Sequence, residues 1–101
     1  MANSIIKETT SIGIKNKMIP KIKLIQPLDD FILKVYFIDG KIVLYDVKDD
    51  IENLVGYDEL KKIAGLWKQV QLDESKTCVF WNDYIDLPSD SIYEFGIPVN
   101  A

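Results

Sequence analysis

The sequence predicts a small α+β domain in which a mainly antiparallel sheet carries short helices on one face. Several short stretches alternate apolar and polar residues, as β-strands do. An Asp39-Gly40 pair between two of these stretches is typical of a β-hairpin turn. Two later segments have the acidic start or the apolar spacing of short helices. The predicted order is strand, strand, strand, helix, strand, strand, helix, which is typical of helices layered on a sheet.

Composition indicates one domain with a real core. The chain has 101 residues, of which 48% are hydrophobic, so it is long enough for one domain and too apolar to be wholly disordered. No apolar run reaches the ~18 residues of a membrane span, and the first residues lack the apolar region of a secretory signal. The single cysteine, Cys78, cannot form an intramolecular disulfide. We therefore expect a soluble cytoplasmic protein that makes no contact with a membrane.

The domain is predicted to span residues 20–97, preceded by a flexible arm over 1–19 and followed by a short tail over 98–101. The arm mixes polar residues and glycine with isolated isoleucines and has no clear period, so we expect it to order only against a partner or a sheet edge. Pro20 marks the predicted boundary.

The three leading strands are predicted at residues 21–25, 31–38 and 41–47. Asp39-Gly40 separates the second from the third and suits a two-residue type I′ turn, in which both central residues have positive φ. Such a loop fixes the register. It would place Tyr36 opposite Val43.

This register divides the hairpin into two faces. The predicted core face is wholly apolar and carries Leu33, Val35, Phe37, Ile42 and Leu44. The opposite face is mixed and carries Lys34, Tyr36, Ile38, Lys41, Val43 and Tyr45. Tyrosine is a favoured anchor at protein interfaces. The candidate interaction face therefore consists of Tyr36, Ile38, Val43 and Tyr45.

The second half of the chain predicts shorter elements. Helical segments are expected at 49–54 and 58–64, and Gly65 suits the end of the latter. Strands are expected at 67–72 and 77–81. A final short helix is expected to begin at Pro88, a residue that suits the first helical position.

The sequence lacks the residues that most catalytic mechanisms require. There is no histidine to act as a base or, with the lone cysteine, to hold zinc. The five glycines are scattered and form no phosphate-binding loop. Two groups of acidic residues remain. The first contains Asp46, Asp49, Asp50 and Glu52, and the second contains Asp83, Asp86 and Asp90. A carboxylate-dependent metal enzyme is the least favoured hypothesis, and no catalytic residue, cofactor or metal ligand is predicted.

Charge is distributed unevenly along the chain. Residues 1–28 hold five lysines and one acid, a net charge of +4, whereas residues 29–101 hold seven lysines and 15 acids, a net charge of −8. A basic arm could meet a phosphate backbone, so a nucleic-acid accessory protein is an alternative. All 12 basic residues are lysines, and the absence of arginine together with the acidic body disfavours it.

A spaced set of core and turn residues resembles a family of short bacterial proteins, the one catalogued as domain of unknown function 2442. The matching stretches are residues 20–22, 27–40, 45–47, 67–70 and 81–87, with Leu60. The resemblance covers residues 20–95. The family tends to have a glycine turn where this chain has Asp83-Tyr84, so that turn is expected to differ in shape.

The resemblance implies a small α+β fold with no established activity and no catalytic residue. Some family members are joined to helix-turn-helix domains, and some are encoded beside small partners in candidate toxin–antitoxin pairs. The leading hypothesis is therefore a non-enzymatic interaction or regulatory module, antitoxin-like, that binds a protein partner or a second copy of itself.

Overall fold

The computed structural model describes residues 19–100, in which two antiparallel sheets and three short helices are found. The strands are β1 (Ile22–Pro27), β2 (Ile32–Phe37), β3 (Ile42–Asp46), β4 (Gln71–Leu72), β5 (Cys78–Phe80), β6 (Asp86–Pro88) and β7 (Ile97–Pro98). The helices are α1 (Lys48–Asn53), α2 (Glu59–Lys62) and α3 (Ser89–Phe95). The predicted α+β class is confirmed. The predicted flexible arm, apart from its last residue, lies outside the described residues.

The strands form two sheets. The larger has the order β1-β2-β3-β7 and the smaller has the order β4-β5-β6, with every neighbouring pair antiparallel. The predicted strand at 67–72 is wrong in its first half, because Trp67–Gln69 form a 3-10 turn and only Gln71–Leu72 are extended. This turn aims the Trp67 indole back at β1, where its Nε1–H donates to the Leu28 carbonyl at 2.8 Å.

The hairpin between β2 and β3 turns where predicted, but its loop is one residue longer. Phe37 N–H donates to the Lys41 carbonyl at 2.8 Å, and Gly40 N–H donates to the Phe37 carbonyl at 3.0 Å. The loop is therefore Ile38-Asp39-Gly40, in which Gly40 alone has positive φ, +98°. A three-residue loop of this kind closes with a glycine in the left-handed region, whereas a type I′ turn also needs positive φ at Asp39.

The extra loop residue shifts the register by one position. Tyr36 lies opposite Ile42, and Val35 lies opposite Val43, so the predicted Tyr36–Val43 pairing is wrong. Since side chains alternate along a strand, a shift of one residue exchanges the two faces of β3. Val43 thus joins Val35 on the core face, while Ile42 moves to the opposite face.

The core lies between the larger sheet, the smaller sheet and the three helices. Its fully buried members include Leu33, Val35 and Val43 from the larger sheet and Val79 from the smaller sheet. Each helix also contributes to this cluster, and the residues are Ile51 of α1, Leu60 of α2 and Ile92 of α3. All three helices therefore pack on the same face of the larger sheet.

Trp81 anchors the link between the two sheets. Only 3% of it is exposed, and its indole stacks on that of Trp67 with ring centroids 5.6 Å apart. Its Nε1–H donates to the Trp67 carbonyl at 3.0 Å. Phe31 packs edge-on against Trp67 at 5.3 Å. These contacts hold the 3-10 turn, the end of β1 and β5 together.

Both ends of the described chain are held by the fold. Ser89, fully buried, donates from Oγ to the Pro20 carbonyl at 2.7 Å, so residues 19–21 enter beside the start of α3. At the other end, β7 pairs with β3 and Val99 N–H donates to the Ile42 carbonyl at 2.9 Å. Residues 98–99, placed by the prediction in a separate tail, therefore extend the sheet. A two-residue strand containing proline gives no usable sequence signal.

Candidate functional site

The face of the larger sheet opposite the core is unusually apolar. We call this surface the outer face; the register assigns ten residues to it, and they are Leu24, Gln26, Ile32, Lys34, Tyr36, Ile42, Leu44, Asp46, Ile97 and Val99. Seven of the ten are apolar or aromatic. An antiparallel sheet that turns one face to water normally carries polar residues there, so this composition is that of a surface to be covered.

Among residues 19–100, the outer face lies away from the core cluster, although Ile42 on this face is only 9% exposed. None of its apolar residues belongs to the core cluster or packs against it. Leu24 at one edge is 49% exposed and Ile97 at the other is 67% exposed. Tyr36, between them, is half-buried and donates from its hydroxyl to Gln26 Oε1 at 3.1 Å. Apart from the buried Ile42, the apolar residues of the outer face are therefore partly or largely open to solvent within the described part of the chain.

An acidic rim borders the outer face along β3 and β7. Asp46, Asp49 and Asp50 line a shallow hollow together with Leu44 and Ile97 of the outer face. Partial burial raises the pKa of the Asp50 carboxyl. Burial likewise raises the pKa of Tyr45, whose hydroxyl donates to Asp50 Oδ2 at 2.9 Å. The rim thus places negative charge directly beside apolar side chains.

The structure does not bring the predicted interaction residues onto one face. Tyr36 lies on the outer face, whereas Val43 and Tyr45 point to the core side, where Val43 is fully buried. Ile38 lies in the hairpin loop and is exposed. The grouping is wrong because it rested on a two-residue loop. A role for Tyr36 in binding stays a prediction.

Comparisons of the chain with protein-family models, with curated proteins and with solved structures found no match. The resemblance to the bacterial family described above therefore stays a prediction.

Two acidic side chains of the first predicted group, Asp46 and Asp50, are engaged in local structure. Asp46 Oδ1 accepts from Lys48 N–H at 2.9 Å and lies 3.2 Å from Lys48 Nζ. Lys48 Nζ also donates to Asp30 Oδ2 at 3.0 Å, which ties the start of α1 to the turn before β2. Across residues 19–100, no three acidic or cysteine side chains are grouped so that they could hold a metal ion.

In the second predicted acidic group, hydrogen bonds are formed by the Asp90 side chain and the Asp86 backbone. In the second group, Asp90 Oδ1 accepts from Ser91 N–H at 2.8 Å, and the backbone carbonyl of Asp86 accepts from the Tyr57 hydroxyl at 2.5 Å. Cys78 is half-buried in β5, and burial raises the pKa of its thiol, which disfavours the nucleophilic thiolate. No helix within the described range is long and apolar enough to cross a bilayer.

The hairpin loop is clamped to α3 by a small polar cluster. The Tyr93 hydroxyl donates to Asp39 Oδ2 at 2.7 Å, and Lys41 N–H donates to Asp39 Oδ1 at 2.9 Å. Lys41 Nζ lies 3.9 Å from the centroid of the Tyr93 ring and donates to the Tyr93 carbonyl at 3.0 Å. The clamp fixes the loop whose length determines the composition of the outer face.

Replacing Tyr93 by phenylalanine is expected to raise the pKa of Asp39 towards its ordinary value. The Tyr93 hydroxyl is the main cause that holds this pKa low, followed by Lys41 N–H. A lowered folded-state pKa stabilises the protein above the ordinary value near 3.8 and this contribution is lost as the pH falls through the folded pKa. An NMR titration of the Asp39 carboxyl carbon measures the shift, with Tyr84→Phe as the exposed control. An unchanged Asp39 titration in Y93F would show that the clamp does not act on this carboxyl.

Sequence reasoning missed most of the outer face. It assigned Ile42 and Leu44 to the core and did not consider Leu24, Ile97 or Val99. One signal was available: a glycine at the end of Ile38-Asp39-Gly40 suits a three-residue loop as well as a two-residue one. The longer loop would have predicted the observed register.

Proposed function

We propose that this chain is a non-enzymatic protein-interaction module that docks a protein partner on its outer face. The observation that supports the proposal is the row of apolar side chains on a four-stranded sheet, none of which belongs to the core cluster or packs against it. Exposed contiguous apolar patches of a few hundred Å² are commonly functional in monomeric proteins. Covering the outer face removes apolar surface from water, at roughly 25 cal/mol per Å².

The outer face has the features of an interface centre. Tyr36 offers an aromatic ring and a hydroxyl in the middle of the sheet, and tyrosine is enriched at binding hot spots. Leu24 and Ile97 flank it on the edge strands β1 and β7. The adjacent acidic rim provides a charged border, which favours a partner with basic residues at its periphery.

A protein partner suits this surface better than a nucleic acid does. The only basic residue on the outer face is Lys34, and Asp46 offsets it. Phosphate recognition requires a positive field, and residues 29–101 carry a net charge of −8. The resemblance to the bacterial family adds support, because it implies partner binding or regulation, including an antitoxin-like role.

The experiment uses affinity capture with matched variants of the full chain. The bait is wild type, L24E/I97E or V55E/I63E, each with the same tag at the C-terminus. Val55 and Ile63 are exposed apolar residues near α2, remote in sequence from the larger sheet, so V55E/I63E controls for apolar exposure in general. A partner recovered by wild type is then purified, and its affinity for each variant is measured directly.

Binding is expected to weaken at least about tenfold for L24E/I97E, equivalent to ~1.4 kcal/mol, and to stay within about twofold of wild type for V55E/I63E. The affected side chains are exposed, so both variants are expected to melt within a few degrees of wild type, as circular dichroism will show. Equal affinities for wild type and L24E/I97E would contradict the proposal.

A further inference from the structure

We propose that residues 1–18 of this chain dock in cis on its own outer face, which a protein partner occupies by displacing them. The inference rests on the proposed function in one respect, since it takes the outer face as a docking surface. It adds a form of regulation, in which residues 1–18 compete with the protein partner for that surface. Three observations support it: the place where the chain enters the fold, the charge of the two parts, and the size of the face.

The chain enters the fold at the edge strand β1, at the hairpin-loop end of the larger sheet and beside the start of α3. Ile38 N–H donates to the Lys21 carbonyl at 2.8 Å, which extends the pairing of β1 and β2 towards the hairpin loop. Leu24, Tyr36 and Ile42 form the row of the outer face nearest to this point. Crossing the four strands takes about 15 Å, whereas 18 extended residues reach up to ~60 Å. Residues 1–18 are therefore long enough to cross the outer face.

The two parts are complementary in charge and polarity. Residues 1–18 hold three lysines and one acid, a net charge of +2, whereas residues 19–101 hold nine lysines and 15 acids, a net charge of −6. Ile12 and Ile14 are spaced two residues apart, as are residues on one side of an extended segment. The outer face offers apolar rows for isoleucines, and its rim offers Asp46, Asp49 and Asp50 for lysines.

The size of the outer face favours a segment over a second copy. Four strands and three side-chain rows cover on the order of 400 Å², whereas a stable interface buries about 800 Å² on each partner. Two copies packed face to face through this surface alone fall well short of that area. A tethered segment needs less contact, because a short linker gives an effective concentration of about 1 mM.

Paramagnetic relaxation measured by NMR on the full chain tests the inference. A spin label is attached at Thr10→Cys in a Cys78→Ser background, and amide signals are compared with the label oxidised and reduced. We expect the signals of Leu24, Tyr36, Leu44 and Ile97 to lose most of their intensity, while those of β5 and β6 persist. The variant I12S/I14S is expected to restore them, and the control N3A/S4A is not.

A mixed sample distinguishes docking in cis from docking by a second copy of the chain. When spin-labelled chains without ¹⁵N are added to ¹⁵N chains without label, cis docking predicts no loss of signal. Loss of outer-face signals in the mixed sample would identify a second copy as the occupant and overturn the inference. Signals on the outer face that are unaffected in both samples would overturn it as well.

A second measurement needs no cysteine substitution. In the wild-type background, I12S/I14S is expected to shift the methyl signals of Leu24, Leu44 and Ile97, while N3A/S4A leaves them in place. Identical methyl spectra for all three proteins would contradict cis docking. The capture experiment with L24E/I97E is independent of these results, so a partner can bind the outer face even if residues 1–18 do not, and the two proposals can fail separately.

Discussion

Replacing Trp81 by alanine is expected to lower the free energy of unfolding by about 3–5 kcal/mol, the usual cost of truncating a buried aromatic side chain. Trp81 is almost fully buried, stacks on Trp67 at 5.6 Å and donates to the Trp67 carbonyl at 3.0 Å. Its loss therefore leaves a cavity between the two sheets and a carbonyl without its donor. Since small domains are stable by only about 5–15 kcal/mol, W81A is expected to fold marginally.

Urea denaturation followed by far-ultraviolet circular dichroism measures this effect, because the signal does not depend on tryptophan fluorescence. Tyr84→Ala is the control, since Tyr84 is 85% exposed and its truncation should cost less than about 0.5 kcal/mol. W81F is expected to fall between the two, because it keeps a ring but not the indole N–H. A W81A variant as stable as Y84A would show that the tryptophan pair does not hold the sheets together.

Replacing Gly96 by alanine is expected to lower the free energy of unfolding by about 1–3 kcal/mol, as overpacking does. A Cβ there would lie 2.7 Å from the Ile92 carbonyl oxygen and 2.8 Å from Val43 Cβ. Neither atom can yield easily, because one is helix backbone and the other belongs to a fully buried side chain. The φ of Gly96 is −69°, which any residue adopts, so the expected cost is steric.

The control for G96A is Gly56→Ala. No atom lies within 4 Å of a Cβ at Gly56, but its φ is +87°, so alanine there should cost about 1 kcal/mol through backbone strain alone. G96A should also loosen β7 from β3, which hydrogen exchange at Val99 will report. Because Ile97 belongs to the outer face, G96A should weaken partner binding whereas G56A should not. A G96A variant with wild-type stability and protection would contradict the tight approach of α3 to β3.

Much of the fold follows from local sequence patterns. The alternation in β2 and the glycine near the hairpin turn predict the centre of the larger sheet, and the acidic start of α1 predicts that helix. The 3-10 turn at Trp67–Gln69 was missed because its cause is a contact distant in the sequence, the donation from Trp67 to Leu28. Local sequence patterns do not indicate a contact between residues so far apart in the chain. The strands β6 and β7 were missed because they have only two or three residues.

The candidate site was harder to predict than the fold, since it depends on the length of one loop. Asp39-Gly40 is compatible with loops of two or three residues, and the choice decides which side of β3 faces the core. Both alternatives place apolar residues on both faces, because Ile42, Val43 and Leu44 are consecutive. The sequence therefore predicted a mixed second face, of whose residues Lys34 and Tyr36 lie on the outer face.

The outer face gives the consecutive apolar residues of β3 a common explanation. A strand buried on one side needs alternate apolar residues, whereas Ile42, Val43 and Leu44 leave no polar residue between them. Val43 is fully buried in the core of this chain. Ile42 and Leu44 lie on the opposite side, where Ile42 is already buried and Leu44 is half-exposed, so a partner or residues 1–18 would complete the burial of Leu44.

The most direct test of the account is an NMR titration of the ¹⁵N-labelled full chain with the purified partner recovered by capture. We expect the largest chemical-shift changes to map to the outer face, at Leu24, Tyr36, Ile42, Leu44 and Ile97. Changes clustered instead at the exposed apolar residues Leu54, Val55 and Ile63 near α2, with the outer face unaffected, would contradict it.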